Sequence, residues 1–219
     1  VLGIGGNNTL EVKKQIEETD LSVFEAVLSV SPYYNKPTPE GLVQHFKAIA
    51  AEVDIPLVVY NVPGRTGLAM SPATVARIRK EIPAVCGIKE ATGDLTLDSN
   101  IIAACDPDMI ILSGDDFTIV PLMALGGHGV ISVLSNIMPK ETAQMCQAVR
   151  EGDLPTARRL HFKMLPLCRA LFVETNPIPV KTALALMGKM DLEFRLPLVP
   201  MLPENEKILS KALSDLGLI

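Results

Sequence analysis

No CxxC pair occurs anywhere in the chain, and its four cysteines, Cys86, Cys105, Cys146 and Cys168, are widely scattered. That spacing excludes a disulfide framework and a zinc ribbon, and leaves buried thiols suited to a reducing cytoplasm. Basic charge is scarce as well: 20 Lys and Arg stand against 25 Asp and Glu, a net −5, with no basic stripe. Nucleic acid is therefore not an expected partner. The three histidines, His45, His128 and His161, lie far apart and suggest neither a metal site nor a Ser–His triad. A complete GxGxxG turn is missing: Gly3-Ile4-Gly5-Gly6 lacks the spacing, and no acid ends the second strand. There is no basic leader region and no initiator methionine. Phe117 to Pro139 carries no Asp, Glu, Lys or Arg and is long enough to raise the question of a membrane span. Gly126-Gly127-His128-Gly129 splits it into a helix-length half and a strand-length half, so a buried helix–turn–strand is expected instead.

What the chain does have is a core and a rhythm. Its 219 residues, 48% apolar and 21% charged, suit one well-cored domain and argue against bulk disorder. They fall short of the roughly 250 residues typical of a full (β/α)8 barrel. Short apolar runs recur at Val1–Ile4, Ala26–Val30, Leu57–Tyr60, Val85–Lys89, Met109–Ser113 and Val130–Val133. Because the first begins at Val1, the chain reads as a fragment or an alternative start. Helical patterns fill the intervals: Val12–Thr19, Gly41–Val53, Pro72–Glu81, Leu95–Ala104, Asp116–Leu125 and Pro139–Val149. Thr38-Pro39, Ser71-Pro72 and Asn176-Pro177 read as a cap followed by proline at the first helical position, where its missing N–H is harmless. Strands spaced by roughly 20 to 30 residues fit β-helix-β crossovers. Continuously apolar strands imply a parallel sheet covered on both faces. From Gly152 onward the pattern is helical.

Polar clusters follow nearly every strand: Asn7-Asn8, Tyr33-Tyr34-Asn35, Tyr60-Asn61, Lys89-Glu90, Ser113-Gly114-Asp115-Asp116 and Ser132. A barrel gathers its carboxyl strand ends around one mouth, and that favours a barrel over an open sheet. Lys89 ends an apolar run, where a charge is costly unless paired or shifted. Either it pairs with Glu90 or reaches water, or it is a desolvated amine able to attack a ketone. The chain has only three tyrosines, all at strand ends, and a phenol there could move the protons that imine formation requires. Arg65, on a Pro-Gly turn just after a strand, is either a surface arginine or a fork for a carboxylate. Asp115 and Asp116 read as helix starters that cap and complement the dipole.

Three blocks then resemble signatures of the dihydrodipicolinate synthase family: Ser31-Pro32-Tyr33-Tyr34-Asn35-Lys36-Pro37, Tyr60-Asn61-Val62-Pro63-Gly64-Arg65-Thr66-Gly67 and Gly87-Ile88-Lys89-Glu90-Ala91-Thr92-Gly93. Ser113 to Asp116, Gly126 to Ser132 and Asn176 to Lys181 match further blocks in the same order, so the resemblance spans essentially the whole chain. It implies an α/β fold, a TIM (β/α)8 barrel lacking its first two βα units, with a C-terminal helical extension. The division implied is a partial barrel over 1–150 and a helical region over 151–219. The implied reaction is condensation of pyruvate with aspartate-4-semialdehyde through a lysine Schiff base, on the lysine biosynthetic route, with no cofactor and no metal. Lys89 matches the Schiff-base lysine, Tyr60 the nearby proton donor and acceptor, and Tyr34 the relay tyrosine that reaches a neighbouring subunit's site. Arg65 matches the holder of the semialdehyde carboxylate, and Gly114 and Ile131 match contacts to bound pyruvate. Asn7, Glu11 and Tyr33 match a feedback lysine site, and members commonly form homotetramers.

The chain departs from the family pattern at its front, where a Gly-Thr-Thr-Gly-Glu block with the relay threonine is absent. Two alternatives stay open: another pyruvate Schiff-base aldolase or lyase, and a non-catalytic barrel remnant acting as an assembly or ligand-sensing subunit.

Overall fold

Six apolar runs form six strands, and all of them run parallel. The computed structural model describes residues 1–219. Its sheet has the order β1 (Leu2–Gly3), β2 (Val27–Val30), β3 (Leu57–Asn61), β4 (Val85–Glu90), β5 (Ile110–Ser113) and β6 (Gly129–Val130). Between the strands lie α1 (Thr9–Glu17), α2 (Pro39–Ala50), α3 (Pro63–Thr66), α4 (Pro72–Glu81), α5 (Leu95–Ala104) and α6 (Ile119–Ala124). Consecutive parallel neighbours require a crossover each time, and the helices provide it. Two expected caps hold: the Thr38 and Ser71 side chains accept from Gly41 N and Thr74 N, with Pro39 and Pro72 in the first turn.

The chain divides into two compact units, Val1–Ile131 and Ser132–Ile219. The second contains a 3₁₀ turn at Leu134–Asn136, then α7 (Pro139–Arg150), α8 (Leu154–Ala170), α9 (Ile178–Leu186) and α10 (Pro203–Asp215). This division precedes the 150/151 boundary read from the sequence, because α7 packs against α8 and the 3₁₀ turn. Asn176-Pro177 differs from expectation as well: the peptide is cis, α9 starts at Ile178, and Pro177 itself takes the cap position. No helix is long and apolar enough to cross a membrane. Phe117 to Pro139 instead contains α6, a glycine turn and β6.

Within the first unit the sheet is not covered equally on its two faces. Val27, Ser29, Leu57, Val59, Asn61, Ile88, Glu90, Ile111 and Ser113 are all buried, and the apolar members join Leu42, Phe46, Ile49, Val75, Ile78 and Ile101 in one core. Of the alternating residues, Val58 and Gly87 are buried, but Leu28, Val30, Tyr60, Lys89 and Leu112 are only half-buried. Burial on both faces, read from the apolar runs, is thus complete only on the helix side, and the half-covered face carries Lys89.

Candidate functional site

Register decides which polar side chains meet. Tyr60 pairs with Lys89 and Asn61 with Glu90 across β3 and β4; Lys89 pairs with Leu112 and Glu90 with Ser113 across β4 and β5. Neighbours in register share a face, and successive residues alternate between faces. Tyr60 and Lys89 therefore occupy one row on the half-buried face, while Asn61, Glu90 and Ser113 occupy the next row on the buried face.

Lys89 Nζ stands 4.2 Å from the centroid of the Tyr60 ring. Burial holds the amine below its ordinary pKa; Asp116 opposes the shift and the Arg65 guanidinium adds to it. Burial raises the Tyr60 phenol above its usual value, with Arg65 pulling it back and Glu90 adding to the rise. Tyr60 therefore keeps its proton through neutral pH. Gly114 closes the other side of the lysine: a Cβ there would lie 2.5 Å from Ala91 Cβ and 3.0 Å from Lys89 Cε. Its N–H donates to the Glu90 carbonyl at 2.6 Å. Ile131 follows β6 at the same edge, and its N–H donates to the Ser113 carbonyl at 2.9 Å.

Glu90 does not pair with Lys89. Its carboxylate is 2% exposed on the opposite face and accepts from Asn61 Nδ2 at 2.8 Å, Thr92 Oγ1 at 2.7 Å and Thr92 N at 3.1 Å. Asp98, on α5 behind it, is pushed up to about 7, first by burial and then by its hydrogen bond to Glu90. Arg65 is exposed on α3, so the expected Pro-Gly turn is one helical turn, ended by Gly67 at φ 70.

Asp115 and Asp116 do not cap a helix. Asp115 Oδ1 accepts from Phe117 N at 2.9 Å, and α6 begins only after Thr118. Asp116 is buried, and its charge is the one that favours the Lys89 ammonium. Reading both acids as helix starters missed that placement. Tyr34 is not brought to Lys89 within the chain: it is 90% exposed, in the loop after β2, where Tyr34 and Lys36 hold φ of 72° and 45°. Such left-handed geometry costs free energy in non-glycine residues. Tyr33 is exposed in that same loop, half-buried Asn7 follows β1, and exposed Glu11 sits in the first turn of α1. Asn35 Nδ2 donates to the Asn7 carbonyl at 2.8 Å and ties the two loops together. No three His, Cys, Asp or Glu side chains gather to hold a metal.

These features define an α/β protein whose parallel strands present, at their carboxyl ends, a desolvated lysine against a protonated tyrosine. The model of the dihydrodipicolinate synthetase family matches residues 1–216. A 4-hydroxy-tetrahydrodipicolinate synthase of Nitratidesulfovibrio vulgaris is 53% identical over 99% of this chain and 74% of its own length. A chloride-inhibited dihydrodipicolinate synthase of Acinetobacter baumannii complexed with pyruvate superposes with a TM-score of 0.95 at 46% identity, covering 99% of this chain and 74% of that one. The enzyme of Cyanidioschyzon merolae with lysine bound gives a TM-score of 0.95 at 38% identity over the same shares. The chain belongs to the dihydrodipicolinate synthetase family, and it spans about three-quarters of the length of these relatives.

Proposed function

We propose that this protein is a lyase that condenses pyruvate with L-aspartate-4-semialdehyde to 4-hydroxy-tetrahydrodipicolinate, on the route to diaminopimelate and lysine. The observation that carries the reading is the desolvated Lys89 amine over the Tyr60 ring, in a chain 53% identical to an enzyme of that name. Burial lowers the pKa of the amine and so enlarges its unprotonated share, the only form with the lone pair to attack the pyruvate ketone. The resulting carbinolamine loses water after its hydroxyl takes a proton, which Tyr60 is poised to supply. Loss of a methyl proton from the imine gives an enamine, whose carbon attacks the semialdehyde aldehyde. The imine takes up the electron pair as the methyl proton leaves and returns it to form the new carbon–carbon bond, while the aldehyde oxygen takes a proton. The semialdehyde amine then attacks the imine carbon, closes the ring and releases the Lys89 amine, so the carbon chemistry proceeds without a metal.

Gly114 and Ile131 are read as contacts to bound pyruvate, with the missing side chain of Gly114 beside Lys89 Cε as support, and exposed Arg65 is read as the fork for the semialdehyde carboxylate. Tyr34 is read as the proton relay to a neighbouring subunit's site, a role its exposure and strained backbone support. Asn7, Glu11 and Tyr33 are read as the feedback lysine site, with the Asn35 tie as support. The six strands are read as consecutive members of a (β/α)8 barrel in a cytoplasmic homo-oligomer.

Intact mass after pyruvate and borohydride tests the reading. Wild type should gain one reduced pyruvate and Lys89→Ala none, and wild type not treated with borohydride should consume pyruvate together with the semialdehyde. Folded wild type without an adduct would instead favour a non-catalytic assembly or ligand-sensing role.

A further inference from the structure

Lys89 and Arg65 sit on different segments, and one buried side chain joins those segments. Asn61, at the end of β3, is 0% exposed. Its Oδ1 accepts from Met70 N at 3.0 Å and so closes the neck of the loop over residues 62–69 that carries α3 and Arg65. Its Nδ2 donates at 2.8 Å to Glu90, the residue after Lys89, whose carboxylate is itself fixed by Thr92. The main chain repeats the link, since Ala91 N donates to the Asn61 carbonyl at 2.9 Å. Inside the loop, Thr66 Oγ1 donates to the Leu68 carbonyl at 2.9 Å, and Arg65 N donates to the Val62 carbonyl at 2.9 Å.

The pattern asks for an amide of this length. A carboxylate would set a second buried charge against Glu90, and an apolar isostere would leave both Met70 N and a Glu90 oxygen without this partner. A longer amide would not fit the same two bonds. We propose that Asn61 is a positioning residue that fixes the reach of Arg65 for the carboxylate of the incoming aldehyde. Attack of Lys89 on pyruvate does not depend on it. The proposal rests on the roles of Lys89 and Arg65 given above.

Asn61→Leu and the milder Asn61→Ser test it on the full chain, with three readouts taken on folded protein. The rate of reductive trapping of pyruvate should stay within about twofold of wild type. The KM for the semialdehyde should rise by roughly 10- to 100-fold, the penalty typical of a binding group displaced by an ångström. Tryptic cleavage after Arg65 should quicken relative to cleavage after Lys189 in the second unit. Unchanged KM, unchanged cleavage, or an equal loss of trapping and condensation would overturn the proposal. Wild type that traps no pyruvate would defeat the Schiff-base reading instead. Cleavage after Arg65 would still decide whether Asn61 holds the loop.

Discussion

At the carboxyl edge of the sheet, two rows of polar residues one position apart are treated in opposite ways. In the buried row, Asn61 and Glu90 satisfy each other and fasten the segments that follow both strands, through Met70 N on one side and Thr92 on the other. In the half-buried row, Lys89 is set against the face of the Tyr60 ring with an aspartate, Asp116, as its favourable charge. A saturated polar network fixes geometry, whereas a partly desolvated amine stores reactivity. The adjacent pair Lys89-Glu90 thus divides two tasks that a single side chain could not perform.

The sharpest way to break this contrast is to substitute the two neighbours separately. Lys89→Met should lose all pyruvate trapping and yet match or exceed wild type in stability at pH 7, because it removes an amine whose charging is opposed by burial. Glu90→Ala should do the reverse in stability, costing about 2–4 kcal/mol by stranding the donors of Asn61 and Thr92. Urea titration of the two variants would reveal it; equal stability losses would erase the distinction. Tyr60→Phe comes next, with trapping slowed about 10²- to 10³-fold by loss of the proton donor and with little change in unfolding midpoint. Single-turnover trapping measures that directly, and an unslowed variant would remove Tyr60 from the proton path.

The smallest effect belongs to the helix side alone. His45 on α2, whose Nδ1 meets Thr9 Oγ1 at 2.9 Å, is lowered by burial to about 4. An unfolded histidine titrates near 6.5, so as pH falls from 6.5 towards 4 the unfolded chain takes a proton that the folded one refuses, and stability is lost. The loss should reach about 2 kcal/mol at pH 5 and be absent above pH 7. His45→Gln should flatten that part of the pH profile without altering trapping at pH 8, and an unchanged profile would contradict the assignment.

Much of this arrangement is legible in the residues. Five strands appear where the apolar runs place them, the sixth shares only Val130 with its run, and Pro72–Glu81 and Leu95–Ala104 are helices with the bounds read from the sequence. Lys89, Tyr60 and Arg65 stand out as polar types at strand ends, each with an ordinary alternative that only the family resemblance outweighs, and Gly114 is legible through that resemblance alone. Asp116 was hidden, because an acid after a strand and before a helix resembles a cap, and only packing buries it. Asn61 and Glu90 were visible as polar residues, but their side of the sheet depends on the register shift between Leu57 and Val58, which no spacing rule supplies. Asp98 lies within α5, where nothing local announces that Glu90 will sit behind it.

Burial lowers the pKa of the Lys89 amine and so enlarges its unprotonated share. The rate of reductive pyruvate trapping, followed against pH on folded wild type, tests it most directly. A buried amine gives a profile that levels off with a midpoint clearly below the ordinary lysine value of 10.5. A rate still rising through 10.5 would show a solvated, ordinary lysine and remove burial as the source of its reactivity.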